Sequence, residues 1–323
     1  MNLLDSFGRK HTYLRISVTD RCNFRCVYCL PEHGVKWTSK SDILSYEEIA
    51  HIVHVFAQLG IQKLRLTGGE PTMRADICTL VASLCQIQGV REVNMTTNGY
   101  TLPKMAQPLY DAGLRKLNIS LDTLDKELFH KMSRGFSIGP VLDGIEKALS
   151  LGFVLKINAV MLKGINEQSI LPLLDFCALR NIELRFIEYM PFDVRWHQCV
   201  TSTEIQTYIS KRYTLSPLSS DSLSGPSQTY WVSEKKMKVG FISPLSNRFC
   251  SSCNRLRLSC KGELRTCLAH EEAPSLGALL RNNATDREIK YQIQKQVLGK
   301  KEGHFCEVES GTPFQGVMTQ IGG

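Results

Sequence analysis

The sequence predicts an α/β fold: a partial (β/α)6 TIM-like barrel followed by a smaller C-terminal region. Three observations predict it. Six short β-branched or apolar runs alternate with helical-period patterns over the first two thirds of the 323 residues. Polar or cysteine-bearing clusters stand directly after four of those runs. The rhythm then stops at a Ser-rich stretch and does not resume. Repeated βα units build a parallel sheet covered by helices.

The predicted strands are Tyr13–Val18, Gln62–Leu66, Glu92–Thr96, Lys116–Ser120, Phe153–Val160 and Glu183–Ile187. Between the first two, Ser45 and Glu48 have capping-box spacing, and Ile49, Ile52, Val53, Phe56 and Leu59 follow on one helical face. Thr123–Met132, Pro140–Leu151 and Ile170–Leu179 predict further helices. Residues Thr214–Gln228 read TLSPLSSDSLSGPSQ, six Ser in fifteen positions with two Pro, the composition of a linker or exposed loop. The expected organisation is therefore a barrel over 1–213, a linker over 214–228 and a C-terminal region over 229–323 with a helix at Glu288–Val297.

Composition narrows the function. With 43% hydrophobic and 22% charged residues the chain can bury a full core, and no run reaches the length of a membrane span. The start, Met1-Asn2-Leu3-Leu4-Asp5, has neither the basic nor the apolar part of an export signal, so a cytoplasmic protein is expected. There, 12 cysteines argue for metal rather than disulfides. Six of them, Cys78, Cys85, Cys177, Cys199, Cys260 and Cys306, are expected as buried small hydrophobes. A formal charge of +8 fits either nucleic acid or a compact polyanion such as a nucleoside triphosphate. The basic residues stand singly on strands and near cysteines, not in a tract, which favours the small anion.

The other six cysteines form two triads, Cys22-x3-Cys26-x2-Cys29 after the first strand and Cys250-x2-Cys253-x13-Cys267 near the end. At this cysteine content, chance predicts three fixed Cys positions only about 0.02 times per chain. A closed zinc site needs four ligands, and neither triad has a fourth at customary spacing, Cys260 excepted for the second. An iron–sulfur cube held by three cysteines leaves one iron open to a ligand that is not protein, so each triad reads as a reaction or substrate site. Structural zinc is the alternative, with a stronger claim at the second triad than at the first.

Thr67-Gly68-Gly69-Glu70-Pro71, Thr96-Thr97-Asn98-Gly99 and Ser120-Leu121-Asp122 end the second, third and fourth strands. In a parallel barrel these ends form the active-site face, so with the first triad they outline one pocket. Gly68 and Gly69 would let backbone approach a ligand, and Glu70 could accept from a ligand ammonium. Lys156 and Asn158 share one face of strand five; Arg185 lies on strand six, with Glu188 and Met190 beyond it. Parallel strands are covered on both faces, so such residues, with Arg15 and Arg65, are expected to line a wet cavity that a phosphate could neutralise.

The first triad, with Tyr28 before its last Cys and the Gly-Gly-Glu-Pro turn, resembles the radical S-adenosylmethionine enzymes. Within them, LRISVTDRCNFRCVYCLP (Leu14–Pro31), RLTGGEPTMR (Arg65–Arg74), NISLDTL (Asn118–Leu124), RFIEYMPF (Arg185–Phe192), FCSSCNRLRLS (Phe249–Ser259) and the terminal Gly-Gly resemble the GTP 3′,8-cyclases of molybdenum cofactor biosynthesis. The likeness spans nearly the whole chain. It implies two 4Fe–4S clusters, one on Cys22, Cys26 and Cys29 and one on Cys250, Cys253 and Cys267, with S-adenosyl-L-methionine on the open iron of the first and the guanine of GTP on that of the second. By resemblance, Tyr28, Gly69, Ser120 and Met190 contact S-adenosylmethionine. Arg15, Arg65, Thr96, Lys156, Arg255, Leu256 and Arg257 contact GTP, and Arg185, Gly322 and Gly323 belong to the catalytic group. The resemblance also implies an electron-donor protein, and leaves open a contact with the downstream cyclic pyranopterin monophosphate synthase and a homodimer; neither nucleic acid nor membrane is expected as a partner.

The chain departs from this pattern where Gly316-Val317-Met318 replaces an Arg before the terminal glycines, and where Cys260-Lys261-Gly262 adds a spare thiol. Two other classes fit parts of the pattern: a radical enzyme that modifies a peptide, and a zinc-ribbon nucleic-acid-binding protein.

Overall fold

The computed structural model describes residues 2–31, 34–190, 197–219, 225–269 and 274–303. All six predicted strands form. In chain order, β1 (Tyr13–Ser17) leads to α1 (Tyr46–Gln58), β2 (Lys63–Thr67) to α2 (Ile77–Cys85) and β3 (Glu92–Thr97) to α3 (Leu102–Asp111). Next, β4 (Lys116–Ser120) leads to α4 (Lys126–Ser133) and α5 (Gly139–Ser150), β5 (Val154–Val160) to α6 (Ile170–Ala178), and β6 (Glu183–Ile187) to α7 (Ser202–Ser210). The capping box of α1 is made as the sequence predicts, Ser45 accepting from the Glu48 N–H and Glu48 from that of Ser45. Helix α4 begins later than predicted, at Lys126, because Asp125 caps it by accepting from the Leu128 N–H at 2.7 Å.

The predicted linker holds more regular structure than its composition suggests. Leu215–Pro217 form β7, which pairs antiparallel with β8 (Gln228–Val232), and β8 with β9 (Met237–Ile242). Two short strands, β10 (Arg255–Leu258) and β11 (Leu264–Arg265), and two helices, α8 (Leu276–Arg281) and α9 (Asp286–Leu298), follow. Sheet order is β11-β10-β1-β2-β3-β4-β5-β6-β9-β8-β7. The six barrel strands are thus flanked by two further parallel strands from the C-terminal region, β10 beside β1 and β9 beside β6.

Alternation decides the two faces. Leu14, Ile16, Leu64, Leu66, Met95, Leu117, Ile119, Ile157, Leu184 and Phe186 are wholly buried in the outer core. The intervening residues, among them Arg15, Arg65, Asn94, Asn118, Lys156 and Arg185, line a cavity of about 720 Å³. Barrel interiors are normally filled by branched apolar side chains. Here polar residues line the inner face along the strands, as the sequence predicts for Arg15, Arg65, Lys156 and Asn158, with Val154, Val160 and Ile187 among them. Among the described residues no helix is long and apolar enough to cross a membrane.

Candidate active site

The loop after β1 carries the first triad, and its shape comes from packing around Phe24. That ring meets Phe136 at 4.6 Å, Tyr100 at 5.5 Å and Phe129 at 5.9 Å between centroids. The end of α4 then grips the loop backbone: Val27 N–H donates to the Met132 carbonyl at 3.0 Å, and Arg134 donates to the Leu30 carbonyl at 3.0 Å. Cys22, Cys26 and Cys29 line the cavity as free thiols.

The Gly-Gly-Glu-Pro turn lines the cavity and is braced against this loop. Gly69 N–H donates to the Thr19 carbonyl at 2.7 Å and Glu70 N–H to that of Arg21 at 2.8 Å. A Cβ on Gly68 would lie 2.4 Å from the Thr19 carbonyl oxygen, and one on Gly69 2.2 Å from that of Arg21. The glycines are needed because the chain's own backbone passes there. Glu70 is likewise committed: Oε1 accepts from Thr72 N and Oγ1 and from Thr97 Oγ1, and Oε2 from Asn98 N at 2.7 Å. It ties the end of β2 to the end of β3, while Asn98 Nδ2 reaches Cys22 Sγ at 3.8 Å.

Tyr28 donates to Asp122 Oδ2 at 2.6 Å, and Val160 N–H donates to Asp122 Oδ1 at 2.8 Å. Burial pushes the Asp122 carboxyl up to about 6, although both donors oppose it. It also pushes Cys22 up to about 12 and Cys29 to about 11, reinforced by Glu70 at Cys22 and by Asp122 at Cys29. Glu70 and Asp122 are the acidic side chains that line this end of the cavity.

The second triad lies at the opposite end. Cys253 stands just before β10, which runs parallel to β1 with Arg255 paired to Tyr13 at the start of both strands. The first triad follows the other end of β1, about 17 Å away along a five-residue strand. Cys267 follows β11, which turns back along β10. Here cations dominate. Arg257, Arg15 and Arg65 occupy neighbouring register positions on β10, β1 and β2. Burial would raise the Cys253 thiol, but Arg255 and Lys300 outweigh it and bring the thiol down to about 6.

All the candidates among the described residues but one line the cavity: Arg15, Tyr28, Arg65, Gly69, Thr96, Ser120, Lys156, Arg185, Met190, Arg255, Arg257 and both triads. Several are held by partners, Arg65 by Tyr13 and Thr96, and Lys156 by Glu183 at 2.7 Å. Leu256 is the exception, its side chain being wholly buried in the outer core because period two turns it away. Cys260, the candidate fourth ligand, is buried beside Thr38 and does not line the cavity. Gly316, Gly322, Gly323 and Cys306 lie outside the described residues.

Sequence reasoning missed Lys63, which lines the cavity two positions from Arg65 and pairs with Glu92 at 2.7 Å; the period-two pattern could have found it. It also missed Glu183, which holds both Lys156 and Arg185, and Lys300, 47 residues from the cysteine it contacts. Lys300 has no local signal.

The residues fit iron–sulfur clusters on the chemistry of their donors. Each triad presents three thiols outside any disulfide to one cavity, and Cys260, the extra thiol nearest in sequence to the second among the described residues, does not line it. The description "Radical SAM superfamily" matches residues 16–177, and "Molybdenum Cofactor Synthesis C" matches 182–306. The GTP 3′,8-cyclase of Paracoccus denitrificans is 40% identical over 94% of this chain and 89% of its own length. That of Listeria monocytogenes is 39% identical over 99% of both, and that of a Sulfurovum species 41% over 95% and 94%. Among solved structures, Streptococcus suis SuiB bound to precursor peptide SuiA has a TM-score of 0.64 at 15% identity, covering 93% of this chain and 72% of that one. SuiB bound to S-adenosylmethionine gives 0.62 at 14%, covering 88% and 69%, and both are likenesses of fold alone. From this agreement along its whole length, the chain belongs to the GTP 3′,8-cyclase family of the radical S-adenosylmethionine superfamily.

Proposed function

We propose that this chain converts GTP into (8S)-3′,8-cyclo-7,8-dihydroguanosine 5′-triphosphate, cleaving S-adenosylmethionine to 5′-deoxyadenosine and methionine, as the first step of molybdenum cofactor biosynthesis. The observation that carries the reading is the opposite electrostatic character of the two ends of one polar cavity. S-adenosylmethionine carries a sulfonium and GTP a polyanionic triphosphate. Glu70 and Asp122 beside the first triad suit the former, and Arg15, Arg65, Arg255 and Arg257 beside the second suit the latter.

Cys22, Cys26 and Cys29 would hold one 4Fe–4S cluster, and Cys250, Cys253 and Cys267 a second. When bound, the first supplies the electron that splits the sulfonium, and the second an open iron for the guanine. The chain's own work is positional. The rows of Arg and Lys side chains hold the triphosphate, and the polar wall at Ser120, Asn158 and Arg185 faces the space between the two ends, where one reacting carbon is aimed at the other. Asn158 Oδ1 is a buried acceptor without a hydrogen-bond donor among the described residues, as a wall awaiting a ligand requires. Tyr28, Gly69, Ser120 and Met190 are the proposed contacts of S-adenosylmethionine, with Gly69 acting through backbone. Leu256 can contribute only through its backbone. Gly322 and Gly323 are proposed to enter the closed site. An electron-donor protein is required; the downstream cyclic pyranopterin monophosphate synthase and a second copy of the chain are the further partners the family suggests.

Anaerobically purified protein should hold about eight iron and eight sulfide per chain and form the cyclised nucleotide from GTP, S-adenosylmethionine and dithionite. Cys253→Ser should keep about half the iron and go on releasing 5′-deoxyadenosine slowly, without cyclised product. Zinc in place of iron, or normal product formation by Cys253→Ser, would overturn the reading.

A further inference from the structure

Lys300 stands two residues beyond the last residue of α9 and is 4% exposed. Its Nζ donates to the Arg255 carbonyl at 3.1 Å and to Cys253 Sγ at 3.5 Å, so its two acceptors are a main-chain oxygen and a ligand sulfur. A buried ammonium is unfavourable unless a negative group compensates it. The fold nonetheless holds it there from three sides. Lys300 N–H donates to the Val297 carbonyl, closing α9. Arg9, from the N-terminal segment, donates to the carbonyls of the next two residues, Lys301 at 2.7 Å and Glu302 at 2.6 Å. The same guanidinium donates to the Cys250 carbonyl at 2.8 Å.

Arg9 and Lys300 are not equivalent. Arg9 is paired with buried Asp5 at 2.6 Å, so it acts as a strut with its charge offset within the chain. The charge of Lys300 faces Cys253.

We propose that Lys300 is a positioning residue for the second iron–sulfur cluster, a fixed cation on a ligand sulfur that favours the reduced cluster and so raises its reduction potential. The inference rests on the proposal that the second triad holds a cluster. One-electron reduction adds one negative charge to a cube already ligated by three thiolates. A cation within hydrogen-bond reach of one of those sulfurs stabilises the more negative form more strongly. The electron comes from an external reductant.

The test uses the full-length chain carrying Cys26→Ser, whose remaining cluster is the second, titrated anaerobically with dithionite and followed by electron paramagnetic resonance. Lys300→Met should lower the reduced-to-oxidised ratio at fixed potential at least tenfold, about 59 mV for one electron, and Lys300→Arg should restore it. An unchanged ratio in Lys300→Met with iron content intact overturns the inference. If Lys300→Met does not load iron, Lys300→Gln and Lys300→Arg decide. Loading by Arg but not Gln supports a charge held on the sulfur, and loading by neither overturns it, because Lys300 is then a requirement of folding. A Cys26→Ser chain that holds no iron at all removes the second cluster itself, and the inference falls with it.

Discussion

Arg15 on β1 and Arg257 on β10 stand in paired register on the inner face of the sheet, with Arg65 next in the row on β2. Like charges paired across strands are unfavourable, and burial makes them more so. The cost shows in both groups: burial lowers Arg15 to about 10 and Arg257 well below its usual range, each reinforced by neighbouring arginines. A bound polyanion would relieve this repulsion.

Arg257→Ala should therefore weaken GTP binding by about 1.5–3 kcal/mol, roughly tenfold or more in Kd, through loss of a charge-assisted hydrogen bond. The ligand-free chain should be no less stable than wild type. Calorimetric GTP titration with urea unfolding checks both, and unchanged affinity would remove Arg257 from the triphosphate site.

Gly69→Ala should act on the first triad and not on the second. The added Cβ would meet backbone, 2.2 Å from Arg21 O and 2.6 Å from Asp20 O, with no flexible side chain to yield. The expected cost is about 1–3 kcal/mol. Iron should fall to about half, with loss of 5′-deoxyadenosine formation, while the spectroscopic signal of the second cluster remains.

His11 makes a pH prediction. Its Nε2 bonds Asp5 at 3.0 Å, and its buried Nδ1 has no partner among the described residues. Burial, with Lys300 nearby, brings the imidazole down from 6.5 to about 4, against the pull of Asp5. The unfolded chain binds this proton at a higher pH than the folded one, so its contribution is complete above pH 6.5 and is lost as pH falls towards 4. Between pH 7.5 and 5.5 wild type should lose about 1 kcal/mol more stability than His11→Gln, measured as anaerobic urea midpoints. Parallel pH profiles of the two would refute it.

Removing Gly322 and Gly323 should abolish or sharply reduce cyclisation while leaving iron content and GTP affinity unchanged. Product formation in the truncated chain is the measurement. Normal turnover would mean that the terminal glycines take no part in the closed site.

Much of this was legible in the residues because it is periodic or local. The alternation Leu14-Arg15-Ile16 predicts a strand with an apolar and a polar face, and Ser45 with Glu48 predicts the start of α1, since each depends only on the geometry of a few bonds. The spacing of Cys22, Cys26 and Cys29 is of the same kind, a ligand set carried on one loop. Period two also contains the correction to Leu256, which sits between two cavity-lining arginines and must face away from them.

What the sequence could not decide is set by contacts distant along the chain. The pairing of β10 with β1 places Arg257 beside Arg15 and puts the second triad at the opposite end of the cavity from the first. The glycines of the Gly-Gly-Glu-Pro turn are required because the backbone of Thr19 and Arg21 packs against them, a contact that no local pattern announces. Lys300 lies against Cys253 only because α9 and the N-terminal strut at Arg9 bring it there. By itself the sequence determined which residues share a face, which cap a helix and which thiols form a set, because backbone geometry repeats over a few residues. Only the tertiary structure decided which faces meet, because strand order and long-range packing bring together segments that no local pattern relates.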